Sequence, residues 1–171
     1  MIPRAIDLVI NHGRAQYRGL SFPCAVGRGG IGRKRGEGDG ITPQGCWRIG
    51  EVWYRPDRVT RPLFHGPVHE IGPRDIWSDD PQDPAYNTAS RGPGYKFSHE
   101  NLRRTDALYD MLAVLDYNWP DATPGKGSAI FLHVWRKPRH PTEGCVAFAP
   151  EVLRFIIESW RPASRVVIRR P

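Results

Sequence analysis

The sequence predicts an α+β domain that is mainly β, built on a curled, mostly antiparallel sheet or sandwich with two helices packed against it. Two observations carry this. Apolar, β-branched and aromatic residues fall in short runs, and 17 prolines and 18 glycines punctuate a chain of 171 residues, a load that breaks long helices and favours turns and shaped loops. Helical periodicity shows in only two places, both late in the chain, which is the pattern of helices set against an antiparallel sheet. The length suits a single domain over residues 1–171.

Taken in order, residues 5–10 and 22–26 read as short strands, broken by Asn11-His12-Gly13 and by the glycine-rich basic stretch 27–36. Residues 46–53 alternate Trp47, Ile49 and, past a glycine, Val52, another strand. From 56 to 94 the chain carries proline, glycine, aspartate and aromatics with little periodicity, so a long functional loop is expected there. Leu108, Met111, Leu112 and Leu115 are spaced i, i+3, i+4, i+7, which predicts a first helix, with Ser98 or Thr105 as its cap. Residues 128–135 form a strongly apolar strand, and 145–148 a shorter one. A second helix begins at Pro150, a favoured first-turn residue, with Val152, Leu153, Ile156, Ile157 and Trp160 on its apolar face. Residues 165–168 close the chain as a strand.

Several classes drop out. No apolar run is long enough to span a membrane as a helix. The opening Met1-Ile2-Pro3-Arg4 lacks a basic segment followed by an apolar one, so no signal peptide is expected. The expected compartment is the cytoplasm, or the periplasm if a leader has been removed or another route exports the protein. Cys24, Cys46 and Cys145 are too few and too scattered for a disulfide scaffold. The net charge of +7 is uneven: +6 over residues 1–61, −3 over 62–110 and +4 over 111–171. Such a shell suits an anionic partner, yet zinc-finger spacing, an RNP-like aromatic signature and a basic helix are all missing, so nucleic acid is not an expected partner. His65 and His69 are four apart, but Pro67 between them removes the helical face a zinc peptidase needs, and Asp79-Asp80 adds no third histidine. No metal or cofactor is expected.

The chemistry concentrates at His133 and Cys145. His133 sits in Ile130-Phe131-Leu132-His133-Val134-Trp135, where a buried imidazole needs hydrogen-bond partners. Twelve residues on, Gly144 precedes Cys145 where a loop enters a strand, which can expose the sulfur and turn backbone N–H groups toward a substrate oxygen. The residues fit a cysteine acyl-transfer centre with His133 as base. They equally fit a satisfied core histidine beside an inert buried thiol.

The ordered motifs resemble the L,D-transpeptidase (YkuD-type) family, in particular its short single-domain members. They are Gly38-Asp39-Gly40-Ile41-Thr42-Pro43-Gln44-Gly45, Trp77-Ser78-Asp79-Asp80-Pro81, Tyr86-Asn87, Gly127-Ser128-Ala129-Ile130-Phe131-Leu132-His133 and Thr142-Glu143-Gly144-Cys145-Val146. The resemblance implies a curled, mostly β catalytic domain with Cys145 as nucleophile, His133 as general base and the Val134 carbonyl orienting its ring. It implies a partner, the peptidoglycan stem tetrapeptide or a murein fragment, attacked between a diaminopimelate-type residue and the terminal D-Ala. Many members carry Ser/Thr-His-Gly-Cys, whereas Glu143 and Ala147 depart from the family pattern here, which bears on the acceptor. With no signal peptide expected, hydrolysis in murein recycling (L,D-carboxypeptidase) is the leading reading and cross-linking transpeptidation the alternative.

Under that reading the loop from 56 to 94 walls the cleft with Trp77, Asp79, Asp80, Tyr86 and Asn87, the carboxylates meeting the amine of the diamino acid. The other reading of the loop is self-packing, with Trp77 plugging the core. Arg74, Arg136 and Arg139 are candidates for substrate carboxylates, and Thr142 and Glu143 flank the nucleophile. An enzyme of this class is expected to have a low-pKa, alkylatable Cys145. The rival classes are a non-catalytic module for anionic polymers and a zinc peptidase.

Overall fold

The computed structural model describes residues 2–170. In chain order the strands are β1 (Leu8–Asn11), β2 (Arg14–Tyr17), β3 (Leu20–Pro23), β4 (Ile31–Gly32), β5 (Thr42–Pro43), β6 (Gly45–Trp47) and β7 (Ile49–Tyr54). Next come β8 (Val68–Glu70), β9 (Asp75–Ser78), β10 (Ala89–Arg91), β11 (His99–Asn101), β12 (Met111–Leu115), β13 (Phe131–Val134) and β14 (Val146–Phe148). Helix α1 (Pro150–Glu158) and β15 (Val166–Ile168) complete the chain. The larger sheets run β3-β2-β1-β15-β6 and β14-β13-β12-β7-β8, with β10-β9-β11 as a third, smaller sheet. The fold is mainly β, as the composition predicts, but the sheets are mixed: β1–β15, β7–β8 and β13–β14 pair in parallel.

Strand β12 replaces the first of the two predicted helices. Its five residues are all buried. Met111, Ala113 and Leu115 face a cluster that contains Leu132, Val134 and the buried face of α1. Leu112 and Val114 face a second cluster with Trp77, Tyr109 and Phe131. A strand covered on both sides needs no polar alternation, so an unbroken apolar run can match helical spacing by coincidence. Only α1 is helical among the longer elements described. Pro150 opens it, and Leu153, Ile156 and Ile157 are buried against β12, β13 and β14.

Two further expectations change. The segment 56–94 is not free of regular structure, because it holds β8, β9 and β10. The single strand predicted over 46–53 is two, β6 and β7, which belong to different sheets. The break falls at Arg48, whose N–H donates to Asp116 Oδ1 at 2.7 Å while the Asp116 N–H returns a bond to the Arg48 carbonyl at 3.0 Å.

Asp7 fastens the two ends of the chain. Its side chain is fully buried and pairs with Arg165 at 2.5 Å and Arg4 at 3.1 Å, just before β1 and β15 run side by side. Burial works to raise the carboxyl pKa, but hydrogen bonds from Arg165 and Arg4 outweigh it and hold the group well below the usual carboxylate range. Removing one partner of such a pair leaves the other charge uncompensated. Asp7→Ala is expected to lower the unfolding free energy by about 3 kcal/mol in denaturant titration at neutral pH. A loss below about 0.5 kcal/mol would show that the pair does not anchor the fold.

Candidate active site

Parallel pairing of β13 with β14 sets Leu132 opposite Val146 and His133 opposite Ala147. Side chains alternate across a strand, so Phe131 and His133 share one face, and so do Cys145 and Ala147. Cys145, just ahead of β14, therefore lies beside the start of β13 on the His133 face, and the Phe131 N–H points at its Sγ at 3.3 Å. The two residues singled out in the sequence line the same cavity, about 250 Å³ in volume.

His133 is 4% exposed. Its Nδ1 lies 2.8 Å from the Val134 carbonyl, which can only accept, so Nδ1 carries the proton and Nε2 keeps a lone pair. The Tyr109 ring meets the imidazole edge-on with centroids 5.5 Å apart. Burial lowers the imidazole pKa to about 4, against the opposing bond to Val134. The ring is thus neutral over the working pH range, in the tautomer a general base needs.

The thiol differs from the sequence expectation. Burial first, and the Glu100 charge next, push Cys145 up to about 12, so a preformed thiolate is not the resting state. Its Sγ donates to the Ala129 carbonyl at 3.0 Å. Ala129 has φ +52°, a left-handed conformation that costs energy for a residue with a Cβ. Asn87 holds it there: Asn87 Oδ1 accepts from the Ala129 N–H and from Trp77 Nε1, both at 2.9 Å. Trp77 itself is fully buried, its ring centroid 5.1 Å from that of Phe131. Trp77 and Asn87 therefore stand behind Cys145, in the core, and not in the cavity wall.

The loop before Cys145 is clamped from its other side. Thr142 Oγ1 donates to the Cys145 carbonyl at 2.6 Å and accepts the Gly144 N–H at 3.2 Å. In this resting arrangement the Gly144 N–H is thus already occupied. Thr42, from the first of the family-like motifs, donates to the same Cys145 carbonyl at 3.3 Å and accepts the Gly27 N–H at 2.7 Å. Gly27 has to be glycine: a Cβ there would stand 2.0 Å from the Gly40 carbonyl oxygen and 3.0 Å from the Gly144 Cα. Gly144 has φ +140°, and a Cβ would meet the Ile41 carbonyl oxygen at 3.0 Å. Glu143 is exposed and paired with Arg28 at 2.7 Å.

The remaining candidates are dispersed. Arg136, Thr142 and Glu143 line the cavity; Arg74, Asp79 and Asp80 do not. Arg74 and Arg139 are exposed. Asp80 closes a turn by accepting from the Gln82 and Ser98 N–H groups at 2.9 and 3.1 Å. Tyr86 donates to Glu37 and accepts the Gly127 N–H at 3.1 Å, bracing the entry to β13. His69 is paired with Glu51 at 3.4 Å, and no group of metal-ligating side chains that could hold an ion occurs among the described residues. Among the cavity residues that escaped the sequence reading are Glu100, Arg104, Tyr109 and His140. No local motif marks them, because strand pairing and a turn bring them in.

The profile of the L,D-transpeptidase (YkuD) catalytic domain matches residues 8–168, nearly the whole chain. The protein belongs to that family, whose chemistry is L,D-transpeptidase-type catalysis on peptidoglycan. No curated protein and no solved structure matches the chain. Among the described residues no helix is long and apolar enough to cross a membrane.

Iodoacetamide labelling of Cys145, followed by peptide mass spectrometry, is expected to be slow at pH 7 and to keep rising past pH 10. A plateau near pH 6 would instead reveal a thiolate–imidazolium pair and overturn the neutral resting state. Gly144→Ala is expected to cost about 1–3 kcal/mol of stability and to slow turnover at least about tenfold. Wild-type turnover in that variant would show that the loop tolerates the strain.

Proposed function

We propose that the protein is a cysteine acyl-enzyme that releases D-Ala from peptidoglycan stem tetrapeptides and passes the acyl group to water, an L,D-carboxypeptidase. The observation that carries the reading is that Cys145 and a neutral, Nδ1-protonated His133 line one cavity. As Sγ leaves the Ala129 carbonyl and attacks the carbonyl carbon before D-Ala, His133 Nε2 takes the thiol proton. The backbone N–H of Cys145 is the candidate donor to the resulting oxyanion. Collapse breaks the amide bond, and His133 returns the proton to the departing D-Ala amine. Water then attacks the thioester, with His133 taking its proton and handing it to sulfur as the tripeptide acid leaves.

One feature supports water as acceptor. Glu143, where many relatives have histidine, is turned to Arg28 and solvent.

The base form of His133 survives to about pH 4, since its pKa is lowered; the acid limb of kcat/KM is expected near that value and not near 6.5. The product test uses a diaminopimelate-containing tetrapeptide with the protein and with Cys145→Ala, half the tubes holding glycine or a D-amino acid. Tripeptide plus D-Ala in every wild-type tube, and none with Cys145→Ala, is the expected result. Amine-exchanged or dimeric products would make it a transpeptidase, and turnover by Cys145→Ala would remove the acyl-enzyme.

A further inference from the structure

Lys34 enters the interior from the basic stretch that follows β4, and its side chain is only 3% exposed. A buried ammonium is costly unless a counter-charge meets it. Here Asp39 does so, with Oδ1 2.7 Å from Nζ. The Asp39 carboxylate also accepts the Arg35 N–H at 2.7 Å and the Ile41 N–H at 2.9 Å. Burial works to raise its pKa, but the Arg35 N–H, Lys34 and the Ile41 N–H together hold it below its usual value, so the pair stays ionised.

The lysine threads between two glycines, Gly127 ahead of β13 and Gly144 ahead of Cys145. A Cβ at Gly127 would stand 2.3 Å from Lys34 Cε, and one at Gly144 3.5 Å from its Nζ. The ammonium thus lies against the loop that delivers Cys145, outside the cavity that the thiol lines. At the sulfur, burial and then Glu100 disfavour the thiolate, whereas the Lys34 charge favours it. Tyr109 and His133, on the same cavity, are both held neutral by burial.

We propose that Lys34 is a positioning residue whose positive charge, fixed by Asp39 behind Gly144, favours negative charge on Cys145 Sγ. It neither touches substrate nor takes a proton. Its bearing on turnover rests on the acyl-enzyme reading; its effect on the thiol does not. The two members of the pair then act on the sulfur with opposite sign. A purely structural tie would be loosened alike by the loss of either.

Iodoacetamide labelling of Cys145 near neutral pH, read by peptide mass spectrometry, tests the charge without substrate. Lys34→Met is expected to slow labelling about tenfold and Asp39→Asn to speed it about threefold, through the thiolate fraction. Lys34→Arg, which keeps the charge, is expected to stay within about threefold of the unmodified protein. A change of the same direction in Lys34→Met and Asp39→Asn, or an unchanged rate in Lys34→Met, overturns the proposal. Should one of the two fail to fold, the sign of the other decides. Turnover of the tetrapeptide by the unmodified protein decides the reaction separately. Labelling that follows the charge while no D-Ala is released keeps the role of Lys34 and removes the reaction. D-Ala release with labelling indifferent to Lys34 does the reverse. Where both hold, Lys34→Met is expected to lower kcat about tenfold with KM within about twofold, and an unaltered kcat removes its part in turnover.

Discussion

The parallel pairing of β13 with β14 is the constraint from which the site follows. Two antiparallel neighbours could be joined by a tight turn, but a parallel partner obliges the chain to travel back along the strand before it pairs. Residues 135–145 make that return, and so Cys145 arrives beside the start of β13 while His133 sits two positions further along the same face. The returning segment is tied down where it matters. Thr142 exchanges backbone hydrogen bonds with Val26 and Arg28 at 3.0 and 2.8 Å, and Ala147 pairs with Ala25. The crossing of Gly27, Gly40 and Gly144 lets these backbones approach as closely as they do.

Burial then sets the chemistry. A charged thiolate and imidazolium would both have to be desolvated at this depth, and the nearby Glu100 carboxylate disfavours the thiolate further. Both groups therefore rest neutral, with the sulfur hydrogen-bonded to the Ala129 carbonyl and the imidazole to that of Val134. In the proposed reaction, charge develops on sulfur only as the proton passes to His133 Nε2. The same low polarity strengthens every hydrogen bond offered to the developing oxyanion. Asn87, through Trp77 and Ala129, keeps the resting acceptor in place without touching the cavity.

Both residues of the proposed catalytic pair were legible in the sequence. His133 stands out because a polar ring within an apolar strand demands partners, and Cys145 because a preceding glycine marks a loop entering a strand. Pro150 and the apolar face behind it announce α1 correctly. Other readings failed for reasons that are not local. Met111-Leu112-Ala113-Val114-Leu115 satisfies helical and buried-strand patterns alike, and only the second cluster over its other face selects the strand. Trp77 and Asn87 look like cleft residues by type, yet Phe131 and the Ala129 N–H draw them into the core. The low-pKa thiol expected by analogy with reactive cysteines ignored the depth at which this one lies.

The sequence by itself determined the β-rich class, the last helix, the membership signalled by its ordered motifs and the two side chains proposed to react. Each of these depends on residue type and short spacing, which the chain carries along its own length. The tertiary structure alone decided that β12 is a strand, that the thiol is protonated at rest, and that Glu100, Arg104 and Tyr109 enter the cavity. Those outcomes depend on which distant segments cover a face or exclude water. Pairing between β9 and β11 brings Glu100 level with Trp77, and no spacing along the chain encodes that neighbourhood.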